Sequence, residues 1–446
     1  MMELKEKLFS DEIKRLTPIL GRETAERLSK AYLIGDEVTR KRIIEMLDIM
    51  KAAVLADPQL RDASLLEPPA TGKGEIEVGD VIYGNKPVGR LALSKDIFMT
   101  HVGVFGSSGY GKTNISYLLV KQLSDAGVPV VVFDFSKKNY RDLMQTELRD
   151  RINVYTVGSG TAPFSFNPLI PPHGISRTQW AKEFAEVFDH AYWLLGGGRH
   201  IILKALSRLY DENDAPVLND LKRTIEDMQS STPRERNWVS TALRPLESLC
   251  MKETGDVFAE AEGILPSSFF QDGAVTVLEM DALSTNDKTF FIEIIMQWIR
   301  DWLVAQGKRE QLQGVVILEE AHHILNREKS KKIGSETVMD LVFREMRELG
   351  LGIVYLDQHP SMVSYPALGN TSTHVYLSLG LDTRYSSDVQ DAANMLGLEE
   401  EERVEVAQPG VAKRPLQLDP GVVAGGSSRF HPDDLAKVRR RGRPAR

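Results

Sequence analysis

Gly106-Ser107-Ser108-Gly109-Tyr110-Gly111-Lys112-Thr113 narrows the possible folds of this chain more than any other stretch. It fits G-x-x-x-x-G-K-[ST], a phosphate-binding P-loop. The run His101-Val102-Gly103-Val104-Phe105 before it reads as a buried strand, and Asn114 to Ser124 after it, with Ile115, Leu118, Leu119 and Leu123, reads as a helix. The motif needs that strand–loop–helix context. Its glycines turn backbone N–H groups toward the β- and γ-phosphates, and the helix N-terminus adds partial positive charge. Gly106 to Asn114 are therefore candidate nucleotide contacts, with Lys112 reaching phosphate oxygens and the Thr113 hydroxyl ligating Mg²⁺.

From residue 101 onward strand-like runs alternate with helix-like ones. Strands are expected at 101–105, 129–134, 152–156, 274–279, 314–318, 352–357 and 373–379. That alternation predicts a mostly parallel α/β sheet. Between about 173 and 262 the chain reads as a helical insertion, and residues 1–57 read as helices punctuated by Gly21 and Gly35. Residues 58–100 read as a linker with short strands, 101–415 as the core, and 416–446 as a tail that ends strongly basic.

No apolar run reaches the length of a membrane span, and the first residues lack the apolar stretch of a signal peptide. The single cysteine, Cys250, excludes an internal disulfide and a cysteine-based zinc site, so a cytoplasmic location is expected. The net charge of −8 predicts no bulk attraction to DNA, so any nucleic-acid contact comes from a local patch or pore.

Gly314-Val315-Val316-Ile317-Leu318-Glu319-Glu320-Ala321-His322 is an apolar strand ending in two carboxylates, the form of a Walker B motif. Glu319 is the expected Mg²⁺-side residue and Glu320 the base that deprotonates water. Gln358, after the buried run Ile353 to Leu356, can sense the γ-phosphate or the water. Arg344 and Arg347 share a helix face and are candidates for a charge-stabilising finger supplied by another subunit, or else pair with Glu345 or Glu348. Arg384 is a weaker candidate, and Lys137 or Lys138 could face phosphate, DNA or solvent. His322 and His323, adjacent in sequence, read as packing or supporting residues.

Together these segments resemble the HerA/FtsK superfamily of P-loop motors, and its HerA-like branch most closely. The resemblance rests on Gly-Tyr-Gly-Lys-Thr-Asn at 109–114, Phe-Asp-Phe at 133–135 and Phe-Ser-Phe-Asn-Pro-Leu at 164–169. Glu-Glu-Ala-His at 319–322, Arg-Glu-Met-Arg-Glu-Leu-Gly-Leu-Gly at 344–352 and Asp-Gln-His-Pro-Ser at 357–361 complete it. It implies a RecA-like core, ATP and Mg²⁺ as cofactors, and a hexameric ring translocating double-stranded DNA with a nuclease or other effector. Two departures stand out. HerA proteins usually begin with a small β-barrel where this chain reads as helical, and Glu319 stands where aspartate is more common. A DEAH-box helicase needs two such cores in one chain. A cytosolic conjugation or secretion ATPase, or a ring that mainly scaffolds a partner effector, are the alternative readings.

Overall fold

A segment that is apolar on both faces belongs inside a parallel sheet covered by helices. The computed structural model bears this out for residues 9, 13, 16, 20, 22–56, 74–83, 86–135, 138–309, 311–333, 336–377, 379, 387–396 and 422–424, which are the ones it describes. The chain divides into two units. One comprises residues 1–95, 105–115 and 373–446, the other 96–104 and 116–372.

In the first unit, helices α1 (Arg22–Ile34) and α2 (Glu37–Ala56) meet at Gly35. They bury Ala25, Tyr32, Ile43 and Leu47 together with Phe9, Ile13, Leu16 and Leu20, whose spacing is that of one helix face. The Phe9 ring stacks on Tyr32 at 3.6 Å. Strands β1 (Ile76–Tyr83) and β2 (Lys86–Leu93) form an antiparallel hairpin, with Arg90 paired to Glu77 on its exposed side.

In the second unit, β3 (Val102–Phe105, leaving the unit at its last residue) lies beside β8 (Leu351–Asp357). From there parallel pairings run through β7 (Gly314–Glu319), β4 (Val130–Asp134) and β6 (Val275–Glu279) to β5 (Ile152–Thr156). Every residue of β4, β6, β7 and β8 is buried, while β5 at the margin exposes part of its length. From β3 to β8 expected and observed strand ends agree within one residue, whereas the strand expected at 373–379 ends at Tyr376 and the one at Val422–Ala424 is not expected. The fold is an α/β P-loop NTPase fold.

Helix α3 (Lys112–Asp125) follows the P-loop. Helices α4 (Arg177–Tyr192), α5 (Leu195–Glu212), α6 (Leu218–Glu226), α7 (Pro233–Leu249) and α8 (Lys252–Val257) fill the segment between β5 and β6. Their ends are written in the sequence. Ser176 caps α4 through Gln179 N–H, and Thr232 and Glu235 form a capping box on α7. Helix α9 (Thr285–Gln306) is buried along most of its length, starts at Ser284 and stops at left-handed Gly307. Helix α10 (Arg327–Ile333) follows the Walker B turn. Helix α11 (Val338–Glu348) starts from a Thr337–Asp340 capping box and leads into β8. Helix α12 (Tyr365–Gly369), strand β9 (Thr373–Tyr376), helix α13 (Ser387–Leu396) and strand β10 (Val422–Ala424), parallel to β9, complete the described chain. Most of the linker, Ser136, Lys137, Arg384 and the basic end of the tail lie outside the described residues.

Candidate functional site

The phosphate loop belongs to the first unit. Gly109 and Gly111 have φ of +85° and +99°, a conformation that L side chains rarely adopt. A Cβ added at either would touch nothing within 4 Å, so backbone direction rather than crowding requires glycine there. Gly106 differs, since a Cβ there would stand 2.7 Å from Leu377 Cβ. Leu377 N–H in turn donates to Phe105 O at 2.7 Å. Lys112 is buried, its ammonium curled over the loop and donating to the carbonyls of Gly106 and Ser107. Ser108, Gly109, Tyr110 and Asn114 are exposed, and Thr113 is half-buried in the first turn of α3.

The second unit holds the carboxylates, at the C-terminal ends of its parallel strands, where ligands bind in open α/β sheets. In the β4–β7 register Phe133 faces Leu318, so one step on Asp134 and Glu319 end their strands side by side. Glu319 is 5% exposed and accepts a hydrogen bond from the Tyr140 hydroxyl at 3.1 Å. The same hydroxyl lies 2.6 Å from Ser116 Oγ on α3. Burial first, and then the Glu319 charge, hold the Tyr140 phenol well above its ordinary pKa, so it stays a donor. Burial also raises Tyr117, helped by Asp142, Glu319 and Asp134.

Glu320, one residue beyond β7, has a left-handed backbone with φ 49°. Gln358 Nε2 donates to its Oε1 at 3.4 Å, and His322 Nδ1 stands 3.9 Å from its Oε2. Behind them lies the buried Asp357. Its Oδ2 accepts the His322 backbone N–H at 2.7 Å and His322 Nδ1–H at 2.9 Å. Its Oδ1 accepts the N–H groups of Gln358 and His359 at 2.7 and 3.0 Å. Burial pushes the Asp357 carboxyl upward, but the bond and charge of His322 and the backbone donors outweigh it and hold it below the usual value. Burial likewise works against a charged His322, yet Asp357 and Glu320 hold its pKa above the ordinary value. His323 instead stacks on Phe135 at 4.4 Å, and burial followed by the His322 charge lowers it to about 4.

Arg344 and Arg347 are both exposed on α11. Arg344 binds both oxygens of Glu336, at 2.7 Å each, rather than an acid of its own helix. Glu345 is taken by Arg300 of α9. Buried His101 moors this helix. Its Nε2–H donates to Phe343 O at 2.8 Å, while its Nδ1 accepts Ile353 N–H at 3.1 Å. Lys138 pairs with Asp281 at 2.8 Å, and Lys288 donates to Phe135 O. Asn167 of the Phe-Ser-Phe-Asn-Pro-Leu segment is a framework residue that donates to Pro216 O and caps Leu169 N–H.

Glu319 ends β7, and Glu320 and Gln358 each stand one residue past a strand end, the positions that their spacing in the sequence predicts. Tyr140, Ser116, Asp357 and His101 were not singled out as site residues. The available signals were a tyrosine shortly after the β4 carboxylate and an aspartate as the last strand residue before Gln358.

Comparison with known proteins adds an independent finding. Residues 76–299 match the family described as helicase HerA, central domain. The DNA double-strand break repair helicase HerA of Saccharolobus solfataricus is 18% identical over 312 residues, covering 69% of this chain and 59% of that protein. The chain spans about three-fifths of the length of the curated relatives it matches. In fold it is similar to VirB4 of Thermoanaerobacter pseudethanolicus, with a TM-score of 0.56 at 14% identity over 76% of this chain and 93% of that one. It is also similar to the plasmid coupling protein TrwB in complex with ADP and Mg²⁺, with a TM-score of 0.54 at 14% identity over 76% and 85%. Among the described residues no helix is long and apolar enough to cross a membrane.

Proposed function

The chain belongs to the HerA central-domain family of P-loop ATPases, and from that premise we propose that it is an ATP-hydrolysing motor that assembles as a hexameric ring and translocates double-stranded DNA. A nuclease or other effector is its proposed partner, in DNA end processing or anti-phage defence. The observation that carries the reading is the contact between Gln358 Nε2 and the Glu320 carboxylate at the ends of adjacent strands. That is an arrangement suited to hold and deprotonate one water.

The residues fit the nucleotide and metal that the reading requires. The loop is open where Gly109 and Gly111 turn, which leaves room for a phosphate chain against backbone N–H groups. Thr113 of the first unit and Glu319 of the second, each taken by itself, bring an oxygen donor, the ligand type that Mg²⁺ prefers. Bound Mg²⁺ would supply charge neutralisation at the phosphates. Lys112 turns its ammonium from the carbonyls of Gly106 and Ser107 to phosphate oxygens. Tyr140 holds the Glu319 carboxylate in place. Glu320 accepts the proton of the attacking water on a carboxylate oxygen, and Gln358 orients that water. Arg344 or Arg347, exposed on α11, supplies positive charge to a neighbouring subunit's site.

The test is ATP turnover by the full chain with Mg²⁺, with and without linear double-stranded DNA, beside light scattering. A mass near six chains and several-fold stimulation by DNA are expected. A second reading, a conjugation or secretion ATPase, draws support from the VirB4-like and TrwB-like fold. A ring that hydrolyses ATP without responding to double-stranded DNA would favour that reading, or a scaffolding role, over the motor.

A further inference from the structure

We infer that Asp357, acting through His322, is the positioning residue that holds Glu320 and Gln358 in register across the ends of β7 and β8. The inference rests on the reading of Glu320 as the base.

Parallel strands fix their own residues, but the loops beyond them are free to diverge. In the β7–β8 register Glu319 faces Leu356, so Glu320 and Asp357 stand one step further on, where the ladder ends. Asp357 takes over from the ladder. Its Oδ2 holds the turn after β7 through the two donors of His322, and its Oδ1 holds the turn after β8 through Gln358 and His359. One planar, buried group thereby sets the distance between the two turns. Charge-assisted bonds of this kind are short and directional. Two side chains that address the Glu320 carboxylate belong to residues bonded to Asp357. Gln358 addresses Oε1 at 3.4 Å and His322 addresses Oε2 at 3.9 Å. Glu320 itself sits in the left-handed region, a conformation that persists only where its surroundings impose it.

A metal ion is the competing use of these atoms, since Glu320, His322 and Asp357 bring ligand atoms within 4.8 Å of one another. Both Asp357 oxygens already accept two N–H groups each, and His322 Nδ1 already donates to one of them. The cluster is built as a hydrogen-bonded clamp.

The experiment compares His322→Leu, His322→Asn and Glu320→Gln in the full chain, with ATP, Mg²⁺ and a fluorescent ATP analogue. Leucine keeps the bulk and removes the donor, so kcat falls by about tenfold or more while analogue affinity stays within about threefold. The asparagine amide can place a nitrogen where Nδ1 lies, and recovers a substantial part of the lost kcat. Asp357→Asn lowers kcat in the same way if it folds; the His322 variants decide the matter if it does not. Wild-type kcat in His322→Leu overturns the proposal. So does a loss matched by falling ATP affinity and thermal stability that asparagine does not relieve. An inactive Glu320→Gln beside an unaffected His322→Leu removes only the positioning role. A fully active Glu320→Gln removes the base and the positioning role together.

Discussion

Tyr140 gives its hydroxyl hydrogen to Glu319 across 3.1 Å, and Ser116 of the P-loop helix meets the same hydroxyl at 2.6 Å. A buried carboxylate that loses a donor bears the cost of its desolvation, about 1–3 kcal/mol. Tyr140→Phe removes that donor while keeping the ring, including its edge contact with Tyr117 at 5.2 Å. The expected result is a lower melting temperature together with a raised Mg²⁺ requirement for ATP turnover. Titrating Mg²⁺ at saturating ATP checks it, and an unchanged Mg²⁺ half-saturation would detach Tyr140 from the metal side.

Lys112 and Glu320 should separate binding from chemistry. Lys112→Ala is expected to abolish nucleotide affinity, because its ammonium already lies along the loop at Gly106 and Ser107. Glu320→Gln keeps the shape and loses the basicity. It should bind ATP normally and turn over about 10²- to 10⁴-fold more slowly. Equilibrium binding beside steady-state hydrolysis measures both. Normal turnover in Glu320→Gln would move the base to Glu319.

The α11 arginines should act on another subunit. Among the described residues Arg344→Ala gives up an exposed pairing with Glu336, worth about 1 kcal/mol or less to stability, so a melting temperature near that of the wild type is expected beside the loss of activity. Arg344→Ala or Arg347→Ala is expected to keep ATP affinity and lose turnover. Mixing such subunits with Glu320→Gln subunits should restore part of the activity across mixed interfaces. Absence of recovery over the full mixing range counts against a finger supplied in trans.

Acid should loosen the fold through His101. Burial, the dominant cause, lowers its pKa to about 4, and its two bonds require one protonated and one bare ring nitrogen. Its folded pKa lies below the unfolded value of 6.5. Between those values the unfolded chain binds a proton that the folded chain does not. Stability is therefore present above pH 6.5 and is lost as pH falls toward 4. The loss is on the order of 3 kcal/mol. His323 and His374, also lowered to about 4 chiefly by burial, act with the same sign. Melting temperatures from pH 7.5 down to about 4.5 test this, and His101→Phe should flatten part of the slope.

The parts legible in the sequence were those written locally. Valine- and isoleucine-rich runs such as Val130–Val132 and Val315–Ile317 announce strands buried on both faces. The phosphate loop announces itself by spacing. What escaped joins distant positions. Tyr140 and Glu319 are 179 residues apart, His101 and Phe343 are 242 apart, and His322 and Asp357 are 35 apart. Only the strand order brings them together, and periodicity carries no information about that order. Arg344 shows a shorter-range version of the same gap. Its acids on the same helix were the natural partners to consider, yet Glu345 is engaged by Arg300 and Glu336 lies ahead of the helix.

The left-handed backbone of Glu320 sets stability against activity at a single position. Holding a non-glycine residue there costs roughly 1–2 kcal/mol, a cost that glycine escapes. A glycine at this position should fit the turn without strain and yield a protein that resists heat better. It would also lack the carboxylate that takes a proton from water in the proposed mechanism. Selection for thermal stability alone would be expected to replace Glu320 by glycine, whereas selection for ATP turnover would restore it.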